Sequence, residues 1–518
     1  REEGTFGDGH LLFAVPLPLS RLELAADTLV PRRGVPIVLC AGGDEDRDLI
    51  ERGADRLMGF GYSDVSYLAG GVKAWADAGY EVFTGVNVPS KAFGEFVELN
   101  DDTPHIPAAE LQAMKDRGDN LVIVDSRPMD EFENMSIPGG IDVPGAELAL
   151  RIHDIAPDRD TTVVVNCAGR TRSIIGAQSL INAGIPNPVV ALENGTMGWH
   201  LAGLELARGK TDSYSPVSET GLQRALDCAE DVATRFGVPE IDAGTLNRWR
   251  ADTTRTLYVL DVRDPAEYEA GHLVDAKPAP GGQLVQATDR YVGVRGARLV
   301  LVDDNGVRAT MSASWLIQMG WTDVHVLENG LESDPLVTGP YQPKVFGMED
   351  AEVELISPQE LAALMVGGGA IVVDLTDSRR HRNGHIPGSR FAIRANLPGN
   401  LEEIPDSYQD NAKVVLTSPD GILATVAAAD AALSGRDVKV LDGGTAAWAE
   451  TDMPMATGLK DALDDTVDVW YRPYDLDEGN EAAMQTYLTW EVGLSEQIER
   501  DGTTRFRTFP SGNEGRNS

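Results

Sequence analysis

The sequence has 518 residues, 82 acidic against 44 basic, a formal net charge of −38, 42% apolar residues and 3 cysteines. At about 150 residues per domain, this length predicts about three to four domains with cores of their own. No apolar run approaches the ~18 residues of a membrane span. The acidic balance argues against nucleic acid and anionic membranes as partners, and Cys40, Cys167 and Cys228 form neither a disulfide framework nor a zinc site, which predicts no metal or other cofactor and a reducing, cytoplasmic location.

In chain order, the polar stretch from Arg1 to His10 returns three more times with the same nine-residue spacing: Arg127 to Ser136, Arg263 to His272 and Thr376 to His385. The later copies follow strand-like runs that end in aspartate, Leu121 to Asp125, Leu257 to Asp261 and Ile371 to Asp374. The first copy has no such run before it, so the sequence is expected to begin inside a repeat, and a lost leader stays open.

Each copy continues with a second β-branched run that ends in a polar loop, at Cys40, Cys167, Asp303 and Ser418. A helical stretch follows; in the second copy Ile174, Ala177, Gln178 and Ile181 share one face. A third short strand leads into a Gly-x-x-x-Trp turn at Gly71–Trp75, Gly195–Trp199 and Gly444–Trp448, while the third copy has Gly330 and Asp334. Apolar strands alternating with helices predict an α/β fold: four tandem domains, each a parallel β-sheet flanked by helices.

The expected domains are 1–85, 100–210, 238–339 and 353–457, followed by an acidic tail, 458–518. Residues 86–104 and 340–352 read as linkers, and 210–238 as a longer one with a helix carrying Leu222, Leu226, Ala229 and Ala233 on one face. In the tail, a helix over about 480–499 carries Met484, Tyr487, Leu488, Val492 and Leu494, a stripe expected to pack on the nearest domain. The last ten residues are expected to be disordered.

A nucleophile at the end of a buried parallel strand, just before a helix, sits where backbone amides point at an anion. The second loop, Cys167-Ala-Gly-Arg-Thr-Arg-Ser173, offers a thiol, a glycine that lets the backbone curl, and two arginines with no acid among them. Amides, helix dipole, Arg170 and Arg172 are expected to depress the thiol pKa below ~8.5. The first loop, Cys40-Ala-Gly-Gly-Asp-Glu-Asp46, surrounds its thiol with carboxylates, which makes Cys40 a poor nucleophile. The third and fourth loops have no sulfur, and Cys228 reads as a packing residue.

The repeats resemble rhodanese domains, the thiosulfate sulfurtransferase family. The residues that carry the likeness are Asp261-Val-Arg-Asp-Pro-Ala-Glu-Tyr-Glu-Ala-Gly-His272, Gly384-His-Ile-Pro-Gly-Ser389, the loop Cys167-Ala-Gly-Arg-Thr-Arg172 and the Gly-Gly-x-x-x-Trp turns, which together span residues 1–457. The resemblance implies a catalytic second domain between inactive copies. Cys167 would take the outer sulfur of thiosulfate as a persulfide, stabilised by Arg172. Ala168, Gly169, Arg170, Thr171 and Ser173 would bind the substrate, Asp125 and Arg127 would support the loop, and a thiol, cyanide or a protein would accept the sulfur. Ser136 stands where its sibling copies have a histidine that reads as structural. A cysteine phosphatase or arsenate reductase would also place a Cys…Arg loop at a helix start. However, Cys167 and Arg172 are five positions apart, one residue fewer than the phosphatase loop needs to wrap a tetrahedral phosphate. A non-catalytic scaffold or sulfur carrier is the other reading.

Overall fold

A computed structural model describes residues 1–403, 412–432, 435–476 and 478–510. Two compact units emerge: Arg1–Val86 with Pro343–Tyr471, which hold repeats one and four, and Asn87–Gln342 with the chain from Arg472 onward, which hold repeats two and three. The disorder expected of the last ten residues falls, for 511–518, outside the described residues.

In repeat two, five parallel strands lie in the order His105–Ile106, Val189–Leu192, Thr162–Asn166, Leu121–Asp125, Ile141–Asp142. Alternate side chains of the central strand face opposite layers. Val163 and Val165 pack with Leu148, Ile152, Ala177 and Leu180; Val164 packs with Leu111, Ile123, Ile137 and Trp199. Burial on both faces is why Val163, Val164 and Val165 are apolar in succession before Asn166 and Cys167 turn into the loop. Repeats three and four repeat this five-stranded order around Arg298–Val302 and Lys413–Thr417. The described strands of repeat one, Ile37–Leu39 and Val65–Tyr67, form a two-stranded parallel sheet.

The recurring first motif is a buried clamp. Arg127 donates to both Asp125 oxygens at 2.8 Å and to the Met135 carbonyl at 2.6 Å. Arg263 holds Asp261 and the Gly271 carbonyl in the same way, and Arg1 reaches the Gly9 carbonyl. In repeat four, where Thr376 replaces the arginine, His381 Nδ1 lies 2.8 Å from Asp374 Oδ2 and takes over the contact. The motif histidines are structural: His272 and His385 stack on Tyr268 and His381 and place Nδ1 2.8 Å from those residues' carbonyls. Ser136 keeps the backbone hydrogen bond made at this position, its amide donating to the Ala207 carbonyl as those of His10 and His385 donate to Phe83 and Ala456.

Several expected faces differ, and one joining stretch carries structure of its own. The stretch read as a linker, 86–104, is largely the helix Val88–Asp101, with Lys91, Phe93 and Glu95 buried. The helix Glu219–Phe236 buries Gly221, Ala225, Ala229, Val232 and Phe236, a seam turned by about one residue from the expected face because the small residues allow close approach. On Thr171–Asn182, Ile174, Ala177 and Gln178 are buried, but Ile181 is exposed. The tail helix spans Asn480–Asp501 and buries Met484, Leu488 and Leu494, with Val492 exposed.

Candidate active site

Cys167 directly follows the central strand of repeat two, four residues before the helix Thr171–Asn182, and is 2% exposed. The loop is held from below by the turn after the third strand. Thr196 donates its amide and its hydroxyl to the Cys167 carbonyl at 2.8 and 2.7 Å, and the Met197 amide bonds the Ala168 carbonyl at 3.0 Å. Gly195 makes this approach possible: its φ is +54°, and a Cβ there would run into the Cys167 carbonyl. The thiol donates to Ser173 Oγ at 3.5 Å, and that hydroxyl donates to the Arg170 carbonyl at 2.8 Å.

The glycine of the loop acts differently from the expectation. Gly169 is not in the left-handed region. Its bare Cα instead admits neighbours, since a Cβ there would lie 2.8 Å from Met197 Cε and 3.2 Å from Glu491 Oε2. Thr171 is buried, with its hydroxyl 3.3 Å from Glu491 Oε1.

The two loop arginines are each neutralised by acids distant in sequence. Arg172, 9% exposed, donates to Glu131 through Nη1 to Oε1 at 3.0 Å and Nη2 to Oε2 at 2.7 Å, and also to Gln283. Burial opposes ionisation of Glu131, but Arg172, with Arg472 and Arg127 beyond it, holds its carboxyl down at about 2. Arg170 is paired with Glu95 at 2.7 and 2.8 Å and with Glu98, so it is not a solvent-facing arginine. The expectation of a depressed thiol pKa is therefore reversed. Burial pushes the Cys167 thiol up, and Arg172 and the Ser173 hydrogen bonds offset this only in part.

Comparison with the sibling loops aligns the position that Cys167 holds. The amide six residues on points at Cys167 (Ser173), at Asp303 Oδ2 (Ala309, 3.2 Å) and at Ser418 Oγ (Ala424, 3.3 Å). In repeat three the Asp303 carboxylate also accepts from the amides of Gly306 and Arg308, filling its own anion cradle. Repeat one corrects the sequence alignment: the amide that bonds the Cys167 carbonyl in repeat two has its counterpart in Val72, which bonds Ala41, so Ala41 holds the position of Cys167 and Cys40 matches Asn166. Burial raises the Cys40 thiol pKa, and the Arg1 guanidinium opposes it; the nearby carboxylates are not the cause.

Asp125 and Arg127 lie beneath the loop: Asn166 Nδ2 donates to Asp125 Oδ2 at 2.6 Å, tying the clamp to the residue before Cys167. Sequence reading missed the groups above it. Tyr487 and Glu491 come from the helix Asn480–Asp501, and Lys91 lies over the Tyr487 and Trp490 rings at 5.1 and 4.8 Å. Met197, Met484 and Leu488 pack together beside Tyr474 and Tyr487. Of these, Met484, Tyr487 and Leu488 carry a sequence signal, the apolar stripe of the tail, whereas Lys91 and Glu491 carry none. Glu131 was within the repeated motif but carried no mark of its role. Among the described residues no cluster of His, Cys, Asp and Glu could hold a metal ion, and no helix is long and apolar enough to cross a membrane.

The rhodanese-like domain model matches residues 107–202, 242–333 and 357–451, more than half of the chain. The chain belongs to the rhodanese family. A solved thiosulfate sulfurtransferase from Pseudomonas aeruginosa is 48% identical over 98% of this chain and 95% of its own, with a TM-score of 0.92. In Mycobacterium tuberculosis, SseB, whose assignment as a thiosulfate sulfurtransferase is itself provisional, is 27% identical over 33% of this chain and 71% of its own length. The HTH-type transcriptional regulator Rv0324 of the same organism is 35% identical over 104 residues, 20% of this rhodanese-family chain, which spans 45% of the regulator.

Proposed function

We propose that the protein is a thiosulfate sulfurtransferase whose second repeat carries the chemistry on Cys167. The observation that carries this reading is the buried Cys167 thiol, toward which the Ser173 amide points, in a chain 48% identical, nearly end to end, to a solved thiosulfate sulfurtransferase. The Cys167 thiolate attacks the outer sulfur of thiosulfate; the S–S bond of the donor breaks, sulfite leaves, and the enzyme keeps a persulfide. Loop amides and the start of the helix Thr171–Asn182 stabilise the anionic sulfur. Arg172, fixed by Glu131, gives direction more than net charge. A thiol or cyanide then removes the sulfur. Repeats one, three and four, with Ala41, Asp303 and Ser418 at the nucleophile position, take no sulfur. Three free cysteines fit work in a reducing compartment such as the cytoplasm.

The test is intact-protein mass. Thiosulfate should add one sulfur atom, located on Cys167 by peptide mapping, and cyanide should remove it. An unchanged mass, or sulfur on Cys40 or Cys228, overturns the assignment.

A further inference from the structure

Glu491 does not belong to any repeat, yet it lies against the active loop. Its helix, Asn480–Asp501, places Tyr487 and Glu491 beside Gly169, and Met484 and Leu488 against Met197. Glu491 is 2% exposed. One carboxylate oxygen is well satisfied: Oε1 accepts from Tyr487 OH at 2.9 Å and from Thr171 Oγ1 at 3.3 Å. The other, Oε2, has no hydrogen-bond donor among the described residues. Leaving a buried carboxylate oxygen without a donor is costly, and residues kept in that state call for an explanation in function or in a bound partner.

A partner for Oε2 must bring a proton and must reach a residue that is 2% exposed. Cys167 is 2% exposed beneath this cover, so its sulfur is reached by a low-molecular-weight group more readily than by the surface of a folded protein. A small thiol meets both demands: its S–H can donate to Oε2 while its sulfur approaches the loop. Resting on the Cys167 persulfide, we propose that Glu491 is the base that accepts the proton of a small thiol in the sulfur-acceptor half-reaction.

In this step the thiol proton passes to Glu491 Oε2, and the thiolate attacks the outer sulfur of the Cys167 persulfide. A new S–S bond forms to that sulfur and the bond to Cys167 Sγ breaks, so Cys167 leaves as thiolate. The proton on Glu491 neutralises the departing small persulfide, and no external oxidant or reductant is consumed. The charges facing Glu491 are Lys91 and Glu95 from the helix Val88–Asp101, Arg170 from the loop, and Tyr487 on its own helix. Burial raises its carboxyl pKa, Lys91 and Arg170 oppose this, and Glu95 adds to it, giving a carboxylate more basic than an ordinary one.

Single-turnover measurements on the full chain test the proposal. Enzyme loaded with thiosulfate is discharged with 2-mercaptoethanol or with cyanide, whose reactive anion has no proton to lose. For Glu491→Gln the ratio of thiol to cyanide discharge rates should fall by about a hundredfold, the scale of one general base. A ratio within about threefold of the wild type overturns the proposal. The wild type gives an independent readout: its thiol discharge should be nearly flat with pH between the Glu491 and thiol pKa values, where the base is ionised and the thiol still protonated, whereas a rate rising about tenfold per pH unit up to the thiol pKa shows that free thiolate alone reacts and overturns it even if the variant does not fold. Discharge by reduced thioredoxin as fast as by 2-mercaptoethanol would contradict the small-acceptor part. Failure of thiosulfate to load Cys167 at all would instead refute the persulfide on which the proposal rests.

Discussion

Arg172 and Glu131 form a two-point ion pair, 2.7 and 3.0 Å, between the helix that follows the Cys167 loop and the helix of the first motif. The pair turns the Arg172 fork into a fixed part of the site and cancels most of its charge. Removing one partner leaves the other charge buried. Arg172→Ala should therefore lower thiosulfate:cyanide turnover by about a hundredfold and also lower stability by about 3 kcal/mol. Adding Glu131→Gln should restore much of the stability but not the rate. A double variant that regains both would show that Arg172 acts only through the fold.

The cysteines separate cleanly. Cys167→Ser should abolish sulfur transfer, because a hydroxyl cannot carry a persulfide between the two half-reactions. Cys40→Ser should leave turnover within about twofold, since Ala41, not Cys40, is the structural counterpart of Cys167. Steady-state assays of both variants decide this, and the opposite pattern would overturn the loop alignment.

Much of this was legible in the sequence, for physical reasons. The β-branched runs ending at Asp125 and Asn166 declare buried parallel strands, because both faces of each strand are covered. The spacing from Arg127 to Ser136 follows from a clamp that must reach from Asp125 to the Met135 carbonyl. Electrostatics was not legible. The loop itself has no acid, but Glu95, Glu98, Glu131 and Glu491 converge on it from three other helices. Local sequence shows charge along the chain and cannot show which charges the fold brings together. Cys40 was misaligned by one residue because a strand end has no periodicity to fix its register.

A buried acid beside the clamp should make stability fall with pH. Burial, with help from the Asp125 charge, raises the Asp142 carboxyl to about 8, and its Oδ1 has no hydrogen-bond donor among the described residues. An unfolded aspartate titrates near ~3.9. Between those values the folded chain binds the proton that the unfolded chain has lost. The contribution is therefore fully present below ~4 and is lost as pH rises through about 8. Asp142→Asn should raise the melting temperature at about pH 9, and the difference from wild type should vanish by about pH 4. Thermal melts across that range check this, and an Asn variant less stable at high pH would refute it.

The cover over Cys167 can be loosened without touching the loop. Leu488 is 9% exposed and packs with Met197 and Met484, holding the helix Asn480–Asp501 against the active loop. An aspartate there would bury an unpaired carboxylate, a cost that local undocking of the helix avoids. Leu488→Asp should therefore speed iodoacetamide alkylation of Cys167 by about tenfold or more, since reactivity follows access as well as thiolate content. Cys228 lies on a different helix, Glu219–Phe236, and its labelling should not change. Peptide-resolved mass spectrometry separates the two sites. Faster labelling of both would mean global loosening of the unit, and unchanged labelling of Cys167 would mean that the helix does not control access to the sulfur.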